Sequence, residues 1–144
     1  MNKKGVTLIE LIVVFVIIGI MALLLVPNIG AWLPNYRLRS ATRDIVSTFR
    51  GAQVRAISEN TSYTVSFSAA DTGVTNNTAY VYGGTVTTIP SGITIVQNTL
   101  QNLRAQFNPD STCNTAAATI TLQNTKGTQR KISIGSATGK VTIQ

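Results

Sequence analysis

An apolar segment near the N-terminus, residues 6–26, is interrupted by a single charged residue, Glu10. As a helix, these 21 residues would be about 31 Å long, close to the roughly 30 Å hydrocarbon core of a bilayer. A carboxylate inside such a segment is costly, so it usually has a partner or a function. The pattern predicts a membrane-spanning helix whose Glu10 needs a partner that the isolated chain lacks.

The residues on either side of this segment indicate its orientation. Lys3 and Lys4 precede it, and the positive-inside bias places such residues in the cytoplasm. Trp32 and Tyr36 follow it, as aromatic residues do at the far membrane interface. A cleaved secretory signal peptide is the alternative, but it normally lacks an acid near the start of its apolar stretch. We therefore expect a chain that crosses the membrane once, with its C-terminal part outside the cytoplasm.

The composition argues against most enzyme classes. The sequence has a net charge of +7, no histidine and one cysteine, Cys113. Histidine-dependent acid–base chemistry and most zinc sites are thereby excluded, and no internal disulfide can form. Only one carboxylate lies in the loop 71–77, too few for a calcium site. We expect no catalytic residues, no metal site and no cofactor.

The periodicity of the remaining chain predicts a second helix and then strands. Apolar residues recur at three- and four-residue steps between Leu38 and Ala56, as on one face of an amphipathic helix. Beyond Asn60 the period changes to two, which indicates strands. The predicted strands are 63–67, 79–82, 93–96, 119–123, 131–134 and 141–143, and the last three read as a meander. The predicted fold is α+β: a long N-terminal helical spine, hydrophobic and then amphipathic, packed on a β-rich globular head of antiparallel strands.

The N-terminal residues resemble the class III signal of type IV pilins and of type II secretion pseudopilins. The matching positions are Gly5 before the cut, Val6 as the new N-terminus, Glu10 as the fifth mature residue and Pro27 as the twenty-second. The resemblance implies a prepilin peptidase that cleaves after Gly5 and methylates the amine of Val6. It also implies that Glu10 pairs with the N-terminal amine of a neighbouring subunit during assembly on an inner-membrane platform.

The amphipathic helix extends this resemblance. Residues 37–60, followed by the strand 63–67 and the closing segment 138–143, are similar to H-type minor pseudopilins and related minor pilins. The implied organisation is a leader at 1–5, a transmembrane or filament-core helix at 6–26, a kinked region and amphipathic helix at 27–58, and a head at 59–144. Gly19, Pro27 and Pro34 are predicted helix breaks, which would let the spine bend or melt as a subunit leaves the bilayer.

Two functions follow from these patterns. The first is a structural subunit, a minor pilin or pseudopilin, of a type IV pilus or a type II secretion pseudopilus. The alternative is a DNA-binding minor pilin of a DNA-uptake pilus, because basic residues are spread along the helix and the head. A solvated basic face, or contacts with other subunits, would explain the same residues without DNA. The candidate nucleic-acid contacts are Arg37, Arg39, Arg43, Arg50, Arg130, Lys131 and Lys140.

Overall fold

The computed structural model describes residues 5–25, 29–73, 77–115, 117–135 and 138–144. The chain divides into two compact units, Met1–Leu33 and Pro34–Gln144. Lys3, Lys4 and Pro27 lie outside the described residues.

The first unit contains helix α1, Leu8–Leu25, and the beginning of helix α2, Ile29–Glu59. Among the described residues, neither these helices nor any other is long and apolar enough to cross a membrane. The segment predicted to do so reaches Val26, which is outside the described residues. Membrane spanning therefore stays a prediction.

In the second unit, α2 buries the face that the sequence pattern predicts. The predicted apolar positions are all at most 2% exposed, so the assignment of an amphipathic helix is confirmed. The helix ends at Glu59, and the next residue, Asn60, adopts a left-handed conformation (φ 50°). The Thr61 N–H then donates to the Ala56 carbonyl at 3.2 Å, which satisfies one of the last helical acceptors. The buried positions of this face are Leu38, Ala41, Ile45, Phe49, Ala52 and Ala56.

The strands form two antiparallel four-stranded sheets. The first sheet has the order β3-β2-β1-β5, and the second has the order β4-β6-β7-β8. A four-residue helix α3, Ala69–Thr72, and a 3-10 turn, Gln101–Leu103, connect strands. The strands are β1 Tyr63–Ser66, β2 Ala79–Tyr82, β3 Thr85–Thr88, β4 Ile93–Asn98, β5 Arg104–Phe107, β6 Ala118–Asn124, β7 Gln129–Ile134 and β8 Val141–Ile143.

Six of these strands agree with the predicted segments, and β6, β7 and β8 form the predicted meander. Strands β3 and β5 were not predicted. All four residues of β3 are exposed, so it lacks the buried apolar residue at every second position that predicts a strand. β5 does alternate, with Ala105 and Phe107 buried, but two apolar residues are too few to distinguish a strand from a loop.

One core joins α2 to the inner faces of both sheets. Phe49 is fully buried, and its ring lies 6.0 Å from that of Phe67 and 5.8 Å from that of Phe107. The second sheet adds Ile120 and Ile132, both fully buried. The fold class is therefore α+β, as predicted, with an N-terminal helix on a head of antiparallel strands.

Candidate functional site

The N-terminus of α1 is capped by Thr7 and Glu10. The Thr7 backbone N–H and the Thr7 hydroxyl each donate to Glu10 Oε2 at 2.9 Å. The Glu10 N–H in turn lies 3.3 Å from Thr7 Oγ1. This is the reciprocal arrangement of a capping box, in which a threonine and a glutamate three residues later satisfy the free N–H groups of the first turn.

The cap corrects the expectation that Glu10 lacks a partner in the isolated chain. The carboxylate is held locally, but only through one oxygen. Within the described residues, every hydrogen bond to the carboxylate reaches Oε2, and Oε1 accepts none. With respect to the residues that the structure describes, Glu10 therefore keeps one oxygen as a free acceptor.

The apolar side chains of α1 surround Glu10 and are exposed on all sides of the helix. Leu8 and Leu23, near the two ends, are each 77% exposed, and Ile17, in the middle, is 48% exposed. A helix that is hydrophobic all round is normally buried in lipid or among other helices. This surface therefore requires an environment that the chain alone does not provide.

The residues predicted to break the spine lie inside helices where they are described. α1 continues through Gly19, and α2 contains Pro34. Pro34 has no N–H to donate to the carbonyl four residues earlier, so it removes one helical hydrogen bond without ending α2. A break at either residue on leaving a membrane stays a prediction, and Pro27 is outside the described residues.

The predicted basic residues do not come together in one patch. Arg39, Arg43 and Arg50 are exposed, and their spacing of four and seven places them on one face of α2. Arg37 instead donates to the Ser91 carbonyl at 3.2 Å. The rest are on the second sheet or the loop before β8, where Lys131 and Lys140 are exposed and Arg130 is half-buried.

Two other arginines are held by acids, and neither pairing was predicted. Arg104 forms a bidentate ion pair with Asp71: its Nε donates to Oδ2 at 2.8 Å and its Nη2 donates to Oδ1 at 2.7 Å. This contact lowers the pKa of Asp71. Arg55 contacts Glu59 at 3.1 Å. The second pair has a visible signal, a spacing of four on a helix. Asp71 and Arg104 are 33 residues apart, and nothing in the sequence links them.

The described part of the chain contains no group of three potential metal-ligating side chains. Cys113 is buried and unpaired, and its sulfur lies 3.2 Å from the Thr115 hydroxyl. Cys113 is therefore part of the packed interior of the head.

Comparisons with known proteins find one match to the N-terminal residues and one match to the fold. Residues 1–26 match the family model described as the prokaryotic N-terminal methylation motif. The structure is similar to the crystal structure of the type IV minor pilin FimU from Pseudomonas aeruginosa strain PAO1, with a TM-score of 0.60 and 13% sequence identity. The match covers 76% of this chain and 90% of that one. A search of the curated proteins finds no significant match. The resemblance to type IV pilins is thus confirmed in the N-terminal motif and in the fold.

Proposed function

We propose that this chain, with its N-terminal methylation motif and type IV pilin fold, is a structural subunit of a pilus or pseudopilus. The observation that carries the proposal is the exposed, apolar α1 with Glu10 capped at its start and one carboxylate oxygen that accepts no hydrogen bond from the described residues. Such a helix is suited to a bundle of like helices, in which packing between subunits replaces contacts with lipid. The subunit works by assembly and performs no catalysis.

Processing would prepare the N-terminus for assembly. A prepilin peptidase would cleave after Gly5 and methylate the amine of Val6, and the new amine carries a positive charge. Before assembly, residues 6–26 would hold the chain in the inner membrane with its head in the periplasm. An inner-membrane platform would then move subunits into the filament.

Glu10 would pair with the Val6 amine of a neighbouring subunit. Thr7 occupies Oε2, so the amine would approach Oε1. A charge pair in a low-dielectric bundle is favourable only at close range and in good geometry. The pair would therefore set the axial register of adjacent subunits while it offsets the burial of both charges.

The net charge favours a minor over a major subunit. Removal of Lys3 and Lys4 leaves ten basic and five acidic side chains, a surplus of five positive charges per subunit. Two of the five acids, Glu59 and Asp71, already pair with arginines of the same head. Copies stacked along a filament would repel one another, whereas single copies among other subunits would not.

The proposal is tested by following the full-length chain in cells that assemble the filament. We expect the chain in sheared filaments, shorter by residues 1–5 and with a methylated Val6 amine by mass spectrometry. Gly5→Val should leave the uncut precursor in the membrane fraction. Efficient cleavage of Gly5→Val at the same bond, or absence of the wild-type chain from filaments, would contradict the proposal.

A second candidate function is DNA binding through the exposed face of Arg39, Arg43 and Arg50. These three arginines form no ion pair within the described residues, unlike Arg55 and Arg104. If they contact phosphates, replacing all three with Gln should make the slope of log K against log salt concentration shallower. The expected change in slope corresponds to up to about three phosphate contacts. Gel shifts of the full-length chain at several salt concentrations measure this slope, with Lys126→Gln as the control. An unchanged slope in the triple variant would exclude this face.

A further inference from the structure

A polar groove lies in the head between α2 and the β2–β3 hairpin, and neither the pilin motif nor assembly accounts for it. Its volume is about 330 Å³, near the lower end of the range for small-molecule sites. On this side β3 is the edge strand of the first sheet, and all four of its residues are exposed. The groove is lined mainly by Thr48 and Arg55 of α2 and by Tyr80, Tyr82, Thr85 and Thr87 of the hairpin.

The register of the hairpin explains why these side chains converge. Tyr80 is paired with Thr87, and Tyr82 with Thr85, so all four project from the same face of the sheet. Tyr80 also lies within hydrogen-bonding distance of Thr48, with their hydroxyl oxygens 3.3 Å apart. The floor of the groove is therefore tied to the helix that forms its wall.

Among the described residues, Arg55 is the single charged residue that lines the groove, and side chains outside the groove hold it in place. Its Nε donates to Glu59 Oε1 at 3.1 Å, which raises the pKa of Arg55. Its guanidinium carbon lies 5.0 Å from the centre of the Tyr63 ring. Glu59 also accepts a hydrogen bond from the Tyr63 hydroxyl. These contacts hold the guanidinium in place, and the contact with Glu59 uses one of its five N–H donors.

The Tyr82 hydroxyl is buried, and its closeness to Arg55 contributes to the raised pKa of Arg55. The groove thus combines a fixed cation with five hydroxyl groups.

We propose that this groove binds a saccharide that carries a carboxylate, with Arg55 on the carboxylate and the exposed threonine hydroxyls of β3 on the sugar hydroxyls. Hydroxyl groups both donate and accept hydrogen bonds, so these side chains match a ligand rich in hydroxyls. The guanidinium matches a carboxylate through paired N–H donors. The groove has a volume in the range of small-molecule sites. It therefore assigns the head a ligand in addition to its role in assembly.

The test uses isotope-labelled full-length protein in detergent micelles, titrated with glucuronic acid and followed by the amide signals of the head. Glucose provides the hydroxyls without the charge, and acetate provides the charge without the hydroxyls. We expect glucuronate to shift signals of the β2–β3 hairpin with a Kd on the order of 1 mM, typical for a ligand of this size. Glucose and acetate should each bind at least about tenfold more weakly.

Two variants locate the site. Arg55→Gln should weaken glucuronate binding about tenfold, and Thr85→Val, which removes one hydroxyl of the groove, should weaken it about threefold. Lys126→Gln, in the turn between β6 and β7, should bind as wild type. Absence of hairpin shifts with glucuronate, equal binding of glucose, or wild-type affinity in both Arg55→Gln and Thr85→Val would overturn the proposal. Hairpin shifts with an acidic peptide alone would overturn it in favour of a protein ligand.

Discussion

Thr7 donates two hydrogen bonds, from its backbone N–H and from its hydroxyl, to the same carboxylate oxygen of Glu10, each 2.9 Å long. The cap and the charge of Glu10 are therefore separable. The cap needs one acceptor oxygen and a side chain of this length, which glutamine also supplies. Assembly, as proposed, needs the negative charge and the other oxygen. Substitutions at these two positions can remove either property alone.

Removal of the Thr7 hydroxyl should loosen the first turn of α1 without changing any charge. Thr7→Val removes the acceptor of the Glu10 N–H and one donor to its carboxylate, whereas Thr7→Ser keeps both. Loss of an N-cap costs about 1 kcal/mol, so the Glu10 amide should exchange with solvent about fivefold faster in Thr7→Val. Hydrogen exchange of the full-length chain in micelles measures this difference. Equal exchange in the two variants would show that the cap does not stabilise the helix start.

Phe49 should be among the most costly residues of the head to truncate. It is fully buried and contacts the rings of Phe67 and Phe107. Phe49→Ala should lower the free energy of unfolding by about 3–5 kcal/mol, because it leaves a cavity between α2 and the first sheet. Val54, on the same helix, is 63% exposed, and Val54→Ala should change stability by less than about 0.5 kcal/mol. Similar losses in both variants, measured by denaturant unfolding, would contradict this description of the core.

Two glycines should respond to alanine in opposite directions. Gly139 has a φ of +56°, and an added Cβ would lie 2.5 Å from the Ser111 carbonyl oxygen and 2.7 Å from Gln53 Nε2. Gly139→Ala should destabilise the head by about 1–3 kcal/mol. Gly51 is helical with open space around it, so Gly51→Ala should stabilise the head by about 1 kcal/mol. Melting temperatures of the two variants give the signs, and a stabilising Gly139→Ala would show that the closing loop is placed wrongly.

The contact of Asp71 with Arg104 should make stability depend on pH in the acid range. Arg104 lowers the pKa of Asp71 in the folded head. The stabilisation is therefore present above the unfolded pKa of about 3.9 and is lost as the pH falls through the lower folded value. Wild type should melt at a higher temperature than Asp71→Asn at pH 7, and the gap should narrow toward pH 2. Arg104→Gln should lie between wild type and Asp71→Asn, because Asp71 keeps the hydrogen bond that Ser66 donates. A gap that stays constant with pH would contradict the ion pair.

The sequence predicts the elements whose pattern is local. The buried face of α2 follows from apolar residues at helical spacing, and six strands follow from alternation. The cap could also have been predicted, because Thr7 and Glu10 have the spacing of a capping box, but the prediction for Glu10 rested on its charge alone. Contacts between residues far apart in the sequence could not be predicted. Asp71 reaches Arg104 only because the first sheet and α3 bring them together, and β3 is held by its pairing with β2 rather than by buried residues of its own.

The groove shows the same limit. Arg55 looks like one of several helical arginines in the sequence, yet it is the one that faces the β2–β3 hairpin. Its neighbours Tyr80 and Tyr82 belong to a strand that was predicted, but Thr85 and Thr87 belong to one that was not. A site assembled from a helix and an unpredicted edge strand cannot be located from local patterns.

The most direct test of the proposed function is the entry of Glu10→Gln into filaments. Glutamine keeps the cap on α1 but removes the negative charge, so membrane insertion and cleavage after Gly5 should match wild type. The variant should be absent from sheared filaments, as quantified by immunoblot against the membrane fraction, while Thr7→Ser enters normally. Entry of Glu10→Gln at the wild-type level would contradict the pairing of Glu10 with a neighbouring Val6 amine.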